Sequence, residues 1–127
     1  DYQLNPGQGF YLENAGNESE IRIAGEISTS EVKTNSIASG FNLISVSQGR
    51  PVSASTAFET ASPVGSYRSS SADQVAILQN DGSWRILYRR PDNTWYDTAT
   101  GGTTTLELEP GQGYFYIRRG GATSVEF

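Results

Sequence analysis

The sequence predicts an all-β protein, an antiparallel β-sandwich or partly open barrel with a duplicated terminal hairpin unit. Three observations lead there. Ser and Thr together make up 27 of the 127 residues and Gly another 14, a turn-rich composition with a hydroxylated surface. Short apolar–polar alternations recur between Gly, Pro, Asn and Asp turns, and no stretch has the period of a long amphipathic helix. A phrase at the front, "LNPGQGF" (4–10), returns near the end as "LEPGQGY" (108–114). By length the chain is one β domain, 1–127, with hairpin copy 1 in 1–25 and a main repeat unit in 40–127 that ends in hairpin copy 2.

The repeat comes first. Sliding the chain by 104 residues aligns Leu4–Ile23 with Leu108–Phe127 without a gap, and Leu4, Pro6, Gly7, Gln8, Gly9 and Gly16 meet identical residues. Pro6–Gly7 and Pro110–Gly111 suit a type II turn, where proline fixes φ and glycine accepts the positive φ that follows. Gln8–Gly9 and Gln112–Gly113 then lead into aromatic strands opened by Phe10–Tyr11 and Tyr114–Phe115. Gly16 and Gly120 fall at the next reversal, and the return strands "EIRIAG" and "TSVEF" alternate apolar with polar. Each copy therefore reads as a tight turn and a β-hairpin.

Between the copies, strands are expected at 40–47, 73–79, 83–90, 93–98 and 103–109. "NDG" at 80–82 and "PDN" at 91–93 are hairpin links, so 73–98 forms a three-stranded meander. In "SWRILYRR", Trp84, Ile86 and Tyr88 share one face and Arg85, Leu87 and Arg89 the other, with Trp84 and Tyr88 expected in the core. "LELE" turns Leu106 and Leu108 inward and Glu107 and Glu109 outward. Residues 48–72 have no clean period and read as a long loop with a helical turn near Ser55–Ala61.

Charge and composition narrow the function. A net charge of −5 argues against a nucleic-acid partner, which needs a basic surface. No apolar run approaches a membrane span. Without His or Cys the usual nucleophile–base pairs are missing, and only carboxylates remain as metal ligands, a poor set for zinc. Asp73, Asp81, Asp92, Asp97, Glu107 and Glu109 could in principle supply glycosidase acids, but they read as solvated surface charges in turns and on outward strand positions. "PDNTWYD" lacks the spacing and central glycine of a calcium loop. Hence no enzyme activity, catalytic residue, cofactor or metal is expected. The lone lysine, Lys33, is slender support for an isopeptide cross-link, and the sequon Asn17–Ser19 recurs too easily by chance to carry weight. The absence of Met and Cys leads to the expectation of a processed, exported chain without disulfides.

Gly40, Asn42, Leu43 and Ile44, then Ala72–Asp73, then Trp84 and Trp95, then Pro110–Gly113 with its Arg-rich strand, form a succession. It resembles a β-rich repeat of exported and surface proteins of Verrucomicrobia and Planctomycetes. The resemblance covers most of the chain and implies export and architecture rather than chemistry.

The expected function is that of a secreted or cell-surface structural protein that self-assembles into a fibre, filament or array by pairing strand edges. Its contact residues would be Pro6, Gly7, Gln8, Gly9, Phe10, Tyr11, Pro110, Gly111, Gln112, Gly113, Tyr114 and Phe115. Arg118 and Arg119 would meet acids such as Glu13, Glu18 and Glu20 of a neighbouring copy. The alternative is a carbohydrate-binding or adhesin module whose surface-glycan face is Trp95 and Tyr96 with Asp92 and Asn93, Trp95 being the exposed ring beside its turn.

Overall fold

The computed structural model describes residues 12–18 and 34–126, so Pro6 to Tyr11 and Lys33 lie outside the described residues. The chain forms β1 (Thr34–Ile37), β2 (Gly40–Ser45), β3 (Val52–Ser53), α1 (Ala54–Ala57), β4 (Gln74–Leu78) and β5 (Trp84–Arg89). There follow β6 (Trp95–Asp97), β7 (Gly102–Thr104), β8 (Glu107–Leu108), β9 (Gly113–Arg118) and β10 (Thr123–Glu126). All of the ladders between these strands are antiparallel. The main sheet has the order β2-β9-β4-β5-β6-β7, with two-stranded ribbons β1-β10 and β3-β8 beside it. The all-β antiparallel class is as predicted, and no sheet closes into a barrel. Among the described residues no helix is long and apolar enough to cross a membrane.

Register assigns each side chain of the main sheet to a face. The pairs Ile44↔Tyr114, Val75↔Tyr116, Val75↔Leu87 and Arg89↔Trp95 place these residues on one side. They are buried against Ile37 of β1, Val125 of β10, Leu108 of β8 and the segment Ala54, Ala57 and Phe58. The core is therefore a sandwich of one large sheet against two ribbons and a helical turn. Phe58 lies at its centre, stacked on Tyr116 at 4.3 Å and tilted against Trp95 at 5.8 Å. Each large apolar side chain so buried stabilises the fold by roughly 1.5–3 kcal/mol.

Local chemistry explains the turns. Gln79–Ser83 and Arg90–Thr94 are the same construction: Gly82 N–H donates to Gln79 O, and Asn93 N–H to Arg90 O. Gly82 and Asn93 take φ of 80° and 63°, the left-handed residue that follows a type I turn in a three-residue hairpin loop. Asp81 accepts from Ser83 N and Oγ at 2.9 and 2.6 Å, as Asp92 does from Thr94 N and Oγ1 at 3.1 and 2.7 Å. These bonds, the Ser83 and Thr94 hydroxyls first, hold both carboxyls below the usual range. The expected meander is present, and β7 extends it. The Pro110–Gly111 turn also forms, with Gly111 at φ 78° and Gln112 N–H donating to Glu109 O.

Two expectations change. The stretch 103–109 is two strands, because the chain leaves the main sheet after β7 and joins β3 through β8, with Ala54 N–H bonded to Leu106 O at 2.8 Å. The closing unit is not a hairpin. β9 pairs with β2 and β4, whereas β10 pairs with β1. Between the pairs Gly40↔Arg118 and Ile37↔Thr123, one side advances three residues and the other five. The ladder thus continues around a corner, with two extra residues on the Gly120–Gly121 side. The double glycine bends a strand rather than reversing it.

Candidate functional site

The corner is held from both sides. On the β2 side, Asn42 Oδ1 accepts from Ala38 N at 2.8 Å, and its Nδ2 donates to Ala38 O at 2.9 Å and Gly40 O at 3.1 Å. The amide thereby substitutes for a strand partner where the ladder breaks. On the β9 side the fully buried Asp73 gathers three donors. Its Oδ2 accepts from Arg118 Nη1 at 2.7 Å and Tyr116 Oη at 2.6 Å, and its Oδ1 from Arg119 N at 2.7 Å. Arg118 also donates to Ser62 O and Gly121 O, each at 3.1 Å, tying the 62–66 loop to the bend. Burial first, then the bond to Asp73, pushes the Tyr116 phenol far above its ordinary range. Every group here is satisfied from within the chain, so this is a structural lock.

Three sequence expectations are corrected by this geometry. Asp73 and Asp97 are buried, not solvated. Asp97 is paired with Arg85, Nη2 to Oδ2 at 2.7 Å, and accepts from Ala99 N at 2.8 Å. Arg118 finds its acid inside its own chain, leaving only Arg119 exposed. Tyr114 is buried too, its hydroxyl accepting from Glu109 N and donating to Gln112 Oε1. Of the proposed contact residues in this segment, Pro110, Gly111 and Gly113 are exposed and Gln112 and Phe115 half-buried.

The tryptophans are the reverse of what was expected. Trp95 is 1% exposed, in the core, with Arg89 5.6 Å above its ring. It cannot stack on a sugar, so the glycan face built on Trp95, Tyr96, Asp92 and Asn93 does not exist as a unit. Asp92 and Asn93 are exposed in their turn, while Tyr96 lies under the guanidinium of Arg90 at 4.2 Å. Trp84 is 45% exposed and Phe41 75%.

These two rings belong to the outer face of the main sheet, whose chemistry is unusual. Phe41 and Leu43 of β2, Phe115 and Ile117 of β9, Leu78 of β4 and Trp84, Ile86 and Tyr88 of β5 all point there by register. An antiparallel sheet with one covered face normally turns polar residues outward. Here the covered face holds Arg85, Arg89 and Arg118, and the outer face holds aromatics. Arg90 and Tyr67 cover the Tyr96 end. At the other end Trp84 meets Phe115 edge-on at 5.5 Å, beside exposed Leu78, while exposed Phe41 stands on β2 opposite Ile117 and joins them through Leu43, the partner of Phe115. Next to Trp84 lies a cleft of about 630 Å³ lined by Gln79, Asn80, Asp81, Arg85 and Gln112 among others. Sequence reasoning missed this face because Arg85 and Arg89 of "SWRILYRR" marked the wrong side as solvent.

No protein-family model, no curated protein and no solved structure matches the chain.

Proposed function

We propose that this chain is a non-catalytic structural module of the cell exterior that associates with copies of itself through the outer face and open edges of its main sheet. The observation that carries the reading is the apolar strip Phe41–Leu43–Phe115–Trp84–Leu78, in which Phe41, Trp84 and Leu78 are exposed and Leu43 and Phe115 half-buried. Contiguous apolar surface of this kind is costly in water and marks interaction sites. The strip begins on β2, an outermost strand of the main sheet among the described residues, and sheet edges are where strand addition takes place. The resemblance to exported repeats supports the location. Sedimentation velocity over a concentration series, with negative-stain microscopy, tests the idea. Association should rise with concentration and collapse in Phe41→Glu/Trp84→Glu. A wild-type chain that stays monomeric throughout overturns it.

The cleft beside Trp84 favours a second reading, glycan binding, because an exposed indole flanked by amides and an acid suits a sugar ring. In that case Trp84→Ala abolishes retention on a glycan matrix while the oligomeric state is unchanged.

A further inference from the structure

We infer that the opposite side of the molecule carries an anion site, centred on Arg89, that takes a carboxylate group. Three arginines lie on the covered face of the main sheet. Two of them end on buried acids, Arg85 on Asp97 and Arg118 on Asp73. Arg89 does not. It is 8% exposed, and neither its Nε nor its Nη1 has a hydrogen-bond partner among the described residues. Beneath it the indole Nε1 of Trp95 is equally unpartnered. A buried cation without a counter-charge is an expensive arrangement, and orphaned buried donors ask for a group that is not part of the chain.

Arg89 opens onto a cleft of about 530 Å³, whose walls include Ser55, Thr56, Glu59, Ser62 and Asn93. Three hydroxyls and an amide offer neutral donors around one guanidinium, and a planar guanidinium matches a planar carboxylate. The volume exceeds that of a lone ion and suits a small organic acid or an acidic sugar. Glu59 is exposed on the rim, where it opposes an incoming anion. Burial lowers the Arg89 pKa, and the more distant charges of Tyr116 and Asp92 offset it only in part. The site is independent of the assembly surface, because Arg89 and Trp84 lie on opposite faces of β5.

The test uses Trp84→Phe, in which Trp95 is the sole indole, with sodium acetate and sodium glucuronate as probes and chloride holding ionic strength constant. Trp95 emission and the thermal midpoint should shift saturably with the carboxylates. Adding Glu59→Gln should tighten binding roughly fivefold, the worth of one screened charge, and adding Arg89→Gln should abolish it. Glucuronate binding tenfold or more tighter than acetate identifies an acid carried on a sugar, and equal binding a free carboxylate. The inference is overturned if no saturable shift occurs in either background, or if a folded Arg89→Gln variant responds like its parent. Should Arg89→Gln not fold, Glu59→Gln decides, and unchanged affinity there overturns the site.

Discussion

Asp73 shows how much one buried side chain can organise: it joins the β4 strand, the β9 strand and the 62–66 loop through Arg118, Tyr116 and Arg119. Asp73→Asn keeps the shape but strands the Arg118 charge in the interior. It should cost about 3 kcal/mol, read as a lowered denaturant midpoint with an unchanged slope. Asp97 predicts a pH effect. Burial pushes its carboxyl up, but the Ala99 N–H and the Arg85 guanidinium outweigh it and leave the pKa below the usual value. A lowered folded pKa stabilises the protein above the unfolded pKa of about 3.9, and that contribution is lost as pH falls through the folded value. Urea midpoints should therefore fall between about pH 5 and pH 2, and Arg85→Ala should make that acid limb shallower. Neither acid was legible as buried: Arg118 lies 45 residues from Asp73, and Arg85 reaches Asp97 only across the pairing of β5 with β6. Local pattern sees an acid beside a turn and assigns it to solvent.

At the scale of elements, local chemistry was the most legible part. Both hairpins were readable from Asp81–Gly82 and Asp92–Asn93, because a left-handed residue after a type I turn needs Gly or Asn. Asn93→Gly should hold or slightly raise the thermal midpoint. Asn93→Val, forced into the same φ, should cost roughly 1–2 kcal/mol. The tryptophans show where local reading ends. Each directly follows one of the twin turns, yet they face opposite ways. The reason is parity: Trp84 and Arg89 are five residues apart on β5, so they point to opposite faces, and Trp95 pairs with Arg89. Sequence could therefore establish that the two rings are opposed. Which one is inside depended on Asp97, Phe58 and the opposing ribbons, none of which alternation reveals. The closing unit failed for a related reason. Gly120–Gly121 permits a reversal or a bend, and only the pairing of β10 with β1 chooses the bend.

For the whole molecule, the outer face governs behaviour in solution. If its apolar strip is a contact surface, Phe41→Glu/Trp84→Glu should raise solubility and leave the thermal midpoint within a few degrees, since neither ring belongs to the core. A large drop in midpoint would mean instead that the strip is packed within the monomer. The antiparallel class and the meander were legible in the sequence, but the layering was not, because the ribbons owe their place to contacts between distant segments. One of those ribbons has a mechanical consequence. Thr34 lies opposite Glu126, so the chain enters and leaves the described sandwich side by side. A pull on these two points acts across the rungs of the β1-β10 ladder, opening them one after another instead of shearing them together. The molecule should part at low force there, like a zipper, while the main sheet beyond the corner stays shut.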